Sequence, residues 1–437
     1  MLLIKKAEPD RAGKNFPCET ASTFLYNPLE EEKIMSQEII TLAERVLQVP
    51  PSPTLAINAK AKALKAAGED ILNFSVGEPD FDTPKHVCEA GKKAIDDGHT
   101  RYTAVPGIPE LREAICMRFK EDHGWEYTPD EIQVCCGGKH GLYNVFQAML
   151  NPGDEVLIPA PYWVSYPPIV QLAGGVPVIV PLDESMDFDL NPETLAAKAT
   201  DKTRAIFLNS PSNPTGSVFS TTALKAVAEM ALKHGWLIVT DDIYETVTYM
   251  DGKLPHILDV EPALKAQTIV LNGVSKSFAM TGWRIGYSAG PLHLIKAMNK
   301  VQSQSTSNPA APSQYAALAA LTGPQDFPSV MKEAFLPRRD FFVSDLESIE
   351  GVTCVNPSGA FYVFPNFSAY YGKSFNGVPL KNSTDMAAYF LDEAKVASVP
   401  GVAFGSDEFV RFSFATSMEV IKEGMERIKK ALAALEG

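Results

Sequence analysis

The stretch from Leu271 to Tyr287 contains a lysine just past a predicted strand and an arginine eight residues later. The apolar run Thr268–Leu271 predicts a buried strand, which Asn272-Gly273 ends. Lys276 is therefore expected at the carboxyl end of a strand, where open α/β sheets bind their ligands. A primary amine there is a candidate nucleophile that forms an imine with an aldehyde. Arg284 offers a forked cation for a phosphate.

Two earlier strand ends carry residues suited to a ligand. Gly137-Gly138-Lys139 follows the predicted strand Ile132–Cys135. Glycines let the backbone approach an anion, and the free N–H groups of a helix start bind its oxygens, although a tight turn explains the pair of glycines about equally well. Trp163, in the run Pro161–Tyr166, offers a flat ring for stacking on an aromatic ligand, whereas packing in the core is the alternative for a lone aromatic residue.

Two more strand ends carry an amide and a pair of acids. Asn213 lies in the run Asn209–Gly216, where two X-Pro steps force an extended turn, and an Asn before Pro is itself a common turn former. Asp241 and Asp242 follow an apolar strand, and a carboxylate in this place can keep a pyridine nitrogen protonated. Asp242 is interpreted as an exposed neighbour, and a helix cap is the second interpretation of the two acids. Because four such segments share this position in the predicted sheet, they indicate one site.

These segments resemble class I aminotransferases, within them the aspartate aminotransferase branch of bacteria and plant plastids. The resemblance is carried by Ser275-Lys276 to Gly282-Trp283-Arg284 and extends from about Ser36 to the C-terminus. It implies a pyridoxal 5'-phosphate (PLP) cofactor held on Lys276. It also implies that Asp241 contacts the pyridine nitrogen and that Trp163 stacks on the ring. Further residues implied by the resemblance are Asn213 and Tyr244 at the phenolic oxygen, Gly138 and Arg284 at the phosphate, and Ser275 or Ser277 as a further phosphate neighbour.

The resemblance also implies residues that bind the substrate. Arg411 lies in the alternating run Phe409–Phe414, and a guanidinium on a packed strand can grip a carboxylate bidentately. Arg411 matches the residue that binds the α-carboxylate, and Gly77, Trp163 and Asn213 are expected beside the substrate. Lys139 is expected at the distal carboxylate of a dicarboxylic substrate. The alternative is a solvated lysine at a helix start, which is disfavoured because a cation there opposes the helix dipole.

Tyr102 carries the prediction about assembly. In the resembling family a tyrosine at this place reaches the phosphate of the neighbouring subunit, which implies a homodimer with shared active sites. An ordinary surface tyrosine is the alternative.

Composition bounds the partners of the chain. A net charge of −14 disfavours nucleic acid and anionic membrane, since both demand a basic surface. The six cysteines form no CxxC pair and no clustered histidines stand at metal spacing, which indicates no metal site and a reducing cytoplasm. The resemblance to class I aminotransferases implies that the partners are small-molecule amino acids and 2-oxo acids.

A length of 437 residues predicts two domains. The predicted fold class is α/β, with a mostly parallel sheet and helices on both faces formed by residues 84–322. A smaller α+β domain is expected from residues 35–83, which include an N-terminal arm, and 323–437. Residues 1–34 are predicted to be a disordered extension, and a further hypothesis is that translation begins at Met35. Other predicted strands are 71–76, 155–158, 176–180, 204–208 and 237–240, and predicted helices are 39–47, 55–67, 140–150 and 224–234.

The leading hypothesis for function is PLP-dependent transamination of L-aspartate and 2-oxoglutarate to oxaloacetate and L-glutamate. The alternatives are an aminotransferase specific for aromatic amino acids, alanine or prephenate, and another PLP reaction on the same fold. A non-catalytic regulator is the third class, but residues 1–34 are too short and acidic for a DNA-binding domain. Prephenate is expected to be a poor substrate, because Pro50 stands where prephenate-accepting members tend to carry a lysine before a Pro-Ser pair.

Overall fold

The computed structural model describes residues 40–437. The predicted extension at residues 1–34, with the hypothesis about Met35, lies outside these residues. Residues 40–47 belong to a different compact unit from residues 48–437. They contain helix α1 (Glu44–Leu47). Of the helix predicted at 39–47, the described residues therefore form only the last four as a helix. Among residues 40–437, no helix combines the length and the hydropathy needed to cross a membrane.

Helices and strands alternate along residues 132–289 and follow one another less regularly in the rest of residues 48–437. The helices are α2 (Pro53–Ala66), α3 (Lys85–Asp96), α4 (Pro109–His123), α5 (Gly138–Met149), α6 (Tyr166–Leu172), α7 (Pro192–Lys198), α8 (Thr221–His234), α9 (Ile257–Val260), α10 (Val274–Ser277), α11 (Leu292–Ser303), α12 (Ala311–Thr322), α13 (Phe327–Glu347), α14 (Ser383–Asp392) and α15 (Met418–Ala433). The strands are β1 (Leu72–Asn73), β2 (Ile132–Cys135), β3 (Glu155–Ala160), β4 (Val176–Pro181), β5 (Thr203–Asn209), β6 (Leu237–Asp241), β7 (Thr268–Gly273), β8 (Gly286–Ala289), β9 (Tyr362–Val363), β10 (Ser374–Phe375), β11 (Val378–Pro379), β12 (Val396–Ala397), β13 (Val399–Pro400) and β14 (Val410–Ser413).

A seven-stranded sheet forms the centre, with strand order β2-β8-β7-β6-β5-β3-β4. Strand β8 runs antiparallel to both of its neighbours, whereas the pairs among β3 to β7 are parallel. The six strands predicted for this sheet are all present, and β8 is an addition to them.

Helices cover both faces of this sheet, because alternate residues of each strand point to opposite sides. One face packs on α4, α8 and α12, and the other on α5, α6 and α11. Strand residues on the first face include Leu157, Ile206, Leu208, Ile238 and Val270. Those on the second include Val156, Ile158, Phe207, Val239 and Ile269. The mostly parallel sheet with helices on both faces confirms the predicted fold class.

The smaller sheets are formed by strands that lie before and after the central sheet in the sequence. Strands β13, β14 and β9 form an antiparallel sheet, and β1 pairs with β12. The six-residue strand predicted at 71–76 is limited to Leu72–Asn73. Beyond it, the Phe74 backbone still bonds Ala397 and Ser413 at 2.9 and 2.8 Å. The Ser75 backbone N–H and hydroxyl instead donate to the Asn73 side chain at 3.0 and 2.7 Å. The domain boundaries at 83/84 and 322/323 remain predictions.

Candidate active site

A pocket of about 530 Å³ opens beside the carboxyl ends of β5, β6 and β7. Loops after parallel strands meet at one sheet edge, which is why residues distant in sequence converge here. The structure brings ten of the eleven predicted site residues into the pocket wall: Gly77, Gly138, Lys139, Trp163, Asn213, Asp241, Tyr244, Lys276, Arg284 and Arg411. Tyr102 is the exception.

Lys276 lies in the short helix α10, directly after β7. Its amine donates a hydrogen bond to the Gly77 carbonyl oxygen. Burial lowers the pKa of Lys276 to about 8, with repulsion from Arg411 and Arg284 acting in the same direction and Glu78 opposing it. An appreciable fraction of the amine is therefore neutral near physiological pH, as a nucleophile or base requires.

Asp241 is the last residue of β6 and lines the pocket. Burial raises the pKa of Asp241 to about 6, and the hydrogen bond that the Tyr166 hydroxyl donates to Oδ2 at 2.8 Å acts against this rise. Tyr166 is held by stacking on Phe207 and by an edge-to-face contact with Trp163, with centroid distances of 4.2 and 5.5 Å. At neutral pH the carboxylate therefore stays largely ionised in spite of its burial.

Asp242 is not the exposed neighbour that the sequence suggested. Asp242 is only 3% exposed. Its carboxylate accepts a hydrogen bond from the Thr240 hydroxyl at 3.1 Å and pairs with His256 Nε2 at 3.1 Å. Alternation along the chain turns Asp241 toward the pocket and Asp242 away from it. The buried partners then satisfy the second carboxylate.

Gly137, Gly138 and Arg284 lie together as a candidate anion cradle. Helix α5 begins at Gly138, so its free N–H groups lie at the pocket. Gly137 has a φ of +83°, a left-handed conformation that favours glycine, and a side chain on it would displace the Arg284 guanidinium. Ser275 lines the pocket, whereas Ser277 donates to the Gly273 carbonyl oxygen at 3.3 Å. The geometry favours Ser275 over Ser277 as a further anion contact.

Arg411 forms the buried cationic wall of the pocket and is 2% exposed. Its guanidinium donates to Asn213 Oδ1 at 2.9 Å and to the Ser75 carbonyl oxygen at 2.8 Å. Nε is buried and finds no partner among the described residues. Burial lowers the pKa of Arg411, but a guanidinium remains charged in proteins. A buried donor without an acceptor is costly, so this one is suited to an incoming carboxylate.

Two buried tyrosines complete that wall. The hydroxyls of Tyr244 and Tyr362 are joined by a hydrogen bond of 2.8 Å. Burial raises the pKa of both phenols, so both stay neutral.

The Lys139 amine lies 4.7 Å from the centroid of the Trp163 ring. Partial desolvation of the amine lowers the pKa of Lys139, with repulsion from Arg284 acting in the same direction. Lys139 therefore lines the pocket, although the residue as a whole is exposed.

Tyr102 lies outside the pocket and is 92% exposed. It borders a separate depression of about 690 Å³ together with Arg101 and Asn308. The proposed reach to a neighbouring subunit remains a prediction.

Sequence reasoning missed Tyr166 and Tyr362 as site residues. Tyr166 lies in the run Pro161–Tyr166 that was already singled out, whereas Tyr362 lies outside the strand-end segments, within the wider resemblance. Their hydrogen-bond partners are 75 and 118 residues away along the chain. The available signal was the tyrosine hydroxyl itself, because a buried one needs a partner.

The arrangement can hold a flat, phosphorylated aromatic aldehyde beside an amino acid. It offers an amine, a carboxylate, an anion cradle and a second cationic wall in a pocket of the size typical for small ligands. No group of three or more His, Cys, Asp or Glu side chains within residues 40–437 is arranged to hold a metal ion.

Comparisons with known proteins agree with this geometry. A profile of the family described as aminotransferase class I and II matches residues 69–428. The chain is 50% identical over 393 residues to the aspartate aminotransferase of Geobacillus stearothermophilus, covering 90% of this chain and 99% of that protein. It is 49% identical over 396 residues to the aspartate/prephenate aminotransferase of Cereibacter sphaeroides, covering 90% and 99%.

Solved structures show the same relation. The aspartate aminotransferase of Rhizobium meliloti superposes with a TM-score of 0.87 at 45% identity, covering 91% of this chain and all of that one. The Thermus thermophilus aspartate aminotransferase with maleate superposes with a TM-score of 0.84 at 42% identity, covering 90% and 100%. With the fold, the pocket and a family match over most of its length, the chain belongs to the class I and II aminotransferases.

Proposed function

We propose that this chain is a PLP-dependent aspartate aminotransferase, which converts L-aspartate and 2-oxoglutarate into oxaloacetate and L-glutamate. The observation that carries the proposal is that Arg411, with its buried and unpartnered Nε, shares one pocket with the depressed-pKa amine of Lys276. The relatives named aspartate aminotransferase support the substrate class, as does the solved relative with maleate, a dicarboxylate.

The residues present fit PLP. Lys276 would hold its aldehyde carbon, Asp241 its ring nitrogen, Asn213 and Tyr244 its phenolic oxygen, and Trp163 a ring face. Gly138, Arg284 and Ser275 would hold the phosphate, and the glycine backbone that admits Arg284 supports this placement. When bound, PLP supplies an aldehyde and a pyridinium ring that takes up the electron pair released from the substrate Cα–H bond.

Lys276 does the proton work of the proposed reaction. Once the substrate amine has displaced it, a lysine with a pKa of about 8 is neutral often enough to accept the proton from the substrate Cα. Asp241, with a pKa of about 6, stays anionic at neutral pH and so favours a proton on the ring nitrogen. Tyr244 stays neutral because burial raises its pKa, and it can donate to an oxygen without carrying charge.

Arg411 and Lys139 account for the preference for dicarboxylates. Arg411 binds the α-carboxylate through donors that are not used within the protein, and its partner Asn213 lines the same pocket. Lys139, above the Trp163 ring, supplies a second cation for the distal carboxylate. Alanine has no distal carboxylate, so it forgoes this contact.

We also propose a cytoplasmic homodimer with shared sites. A tyrosine that is 92% exposed at Tyr102 is suited to a contact with a second subunit, where it would meet that subunit's cofactor phosphate. The five cysteines within residues 40–437 are free thiols, as in a reducing compartment.

Prephenate transamination is a second candidate, favoured by the name of the Cereibacter sphaeroides relative. Against it stands Pro50, which offers no cation before Pro51-Ser52. The test is a panel of amino donors with 2-oxoglutarate, in which aspartate, alanine and phenylalanine are compared by kcat/KM, together with prephenate as acceptor. Aspartate should give the highest value. A higher value for alanine or phenylalanine, or efficient turnover of prephenate, would overturn the proposed specificity.

A further inference from the structure

Tyr362 lies where three parts of the pocket meet. It is fully buried in β9, which pairs with β14 so that Tyr362 is opposite Ser413, two residues from Arg411. A buried tyrosine must satisfy its hydroxyl while its ring packs. In this chain both requirements are met by residues of the pocket.

The hydroxyl of Tyr362 holds Tyr244. Their oxygens are 2.8 Å apart, and either can donate. Two hydroxyls joined by one hydrogen bond use one of their two protons. When Tyr362 donates, the proton of Tyr244 is therefore left for an acceptor in the pocket.

The ring of Tyr362 holds Arg411. The guanidinium carbon lies 4.5 Å from the ring centroid, a cation–π distance. Asn213 and Ser75 fix the two Nη atoms from other directions. Without the Tyr362 ring, the guanidinium would lose the surface against which it is packed.

Tyr362 also touches the loop that contacts Lys276. A Cβ added to Gly77 would lie 2.7 Å from the Tyr362 hydroxyl oxygen, so a side chain is excluded there. The carbonyl of the same glycine accepts the hydrogen bond of Lys276. The Tyr362 side chain thus contacts three parts of the site: the Gly77 loop, whose carbonyl accepts the Lys276 hydrogen bond, the Tyr244 hydroxyl, and the Arg411 guanidinium.

We propose that Tyr362 is a positioning residue with two separable parts: its ring places Arg411 for the substrate carboxylate, and its hydroxyl places Tyr244 for the phenolic oxygen of the cofactor. The inference rests on the proposed function and deepens it. If it holds, loss of the ring weakens substrate binding, and loss of the hydroxyl changes the pH at which the bound cofactor is protonated. A residue that only supports the fold would not separate these two effects.

Tyr362→Phe removes the hydroxyl and keeps the ring. In the holoenzyme, the dissociation constant of maleate, a dicarboxylate that has no amine to transfer, should stay within about twofold, because the ring still supports Arg411. The visible absorption of the bound cofactor changes with pH, and the midpoint of that change should rise by about half a pH unit or more. The reason is that Tyr244 loses the hydrogen bond that positions it and donates less well to the phenolic oxygen. The kcat for aspartate should fall with little change in KM.

Tyr362→Leu removes both parts. The dissociation constant of maleate should then rise by about fivefold or more, in addition to the shift in absorption midpoint. Tyr389→Phe is the matched control, since it removes a buried hydroxyl that donates to the Ala431 carbonyl oxygen at 2.7 Å and does not line the pocket. It should change neither readout. Thermal unfolding of each variant checks that it folds.

An absorption midpoint unchanged in Tyr362→Phe overturns the role of the hydroxyl. A maleate constant that rises as much in Tyr362→Phe as in Tyr362→Leu overturns the role of the ring. If Tyr362→Leu does not fold, the Phe variant decides alone, through an unchanged maleate constant combined with a shifted midpoint. A wild-type protein that takes up no PLP, or shows no aspartate turnover, is a failure of the proposed function itself and is seen before any variant is made.

Discussion

Replacing Lys276 with Met is expected to stabilise the cofactor-free protein at neutral pH while it abolishes turnover. Burial lowers the pKa of Lys276 from 10.5 to about 8, so the folded state binds this proton less tightly than the unfolded state does. The displacement costs the folded protein about 3 kcal/mol at pH 7. Methionine fills a similar volume without charge. After subtraction of about 1 kcal/mol for the lost hydrogen bond to Gly77, a net gain of about 2 kcal/mol is expected.

The pH dependence gives the sharper test. At pH 7 and below the lysine is mostly protonated in both states, and nearly its full cost is present. As the pH rises from about 8 toward 10.5, the folded state loses the proton first, and the stability of the wild type should rise relative to Lys276→Met by up to about 1.4 kcal/mol per pH unit. The same burial that costs stability makes Lys276 a usable base.

The assay is urea unfolding of the two cofactor-free proteins at equal concentration, at several pH values between 7 and 9.5. Lys225→Met is the control, because Lys225 is an exposed residue of α8, and the change should stay within about 0.5 kcal/mol at every pH. A Lys276→Met protein less stable than wild type at pH 7 would refute the reasoning. So would a difference that does not shrink at higher pH.

Three further variants test other parts of the site. Tyr166→Phe removes a hydrogen bond that lowers the pKa of Asp241, so that pKa should rise above about 6. The acid limb of the plot of kcat/KM against pH should then move to higher pH by about half a unit or more. An acid limb that does not move would show that Tyr166 does not set the pKa of Asp241. Lys139→Ala should lower kcat/KM for aspartate by about tenfold or more and for alanine by about twofold or less, and equal losses would place the distal contact elsewhere. Tyr102→Phe should raise the dissociation constant of PLP without a change in melting temperature, and an unchanged constant would show that this hydroxyl does not reach a cofactor phosphate.

The central strands were predictable because they are buried on both faces and therefore appear as apolar runs. Strand β8 was not, since Gly286-Tyr-Ser-Ala289 has no such run. It becomes a strand through its neighbours, as it pairs with both β2 and β7. Gly286 also admits the start of α5, because a Cβ there would lie 2.9 Å from the Gly138 Cα. These are contacts between distant segments, which local patterning does not contain.

The site was predictable where a motif fixes both the residue and its place after a strand, as for Lys276 and Asn213. It was not predictable where burial depends on a distant partner. Asp242 was expected to be exposed, but the position of His256, 14 residues later, gives it a buried partner. Hydrogen bonds such as that of Tyr166 to Asp241 likewise depend on how strands neighbour one another, and that order is set by the whole sheet.

The most direct test of the account is the visible absorption of the purified protein after reconstitution with PLP. The account predicts an absorption band in the visible range from the wild type that survives dialysis. The band should be lost when Lys276 is replaced with Ala, since the Lys276 amine has a pKa lowered to about 8 and bonds the Gly77 carbonyl oxygen in the pocket. A wild type that stays colourless, or a Lys276→Ala protein that keeps the band, would contradict the assignment of Lys276 as the residue that holds the cofactor.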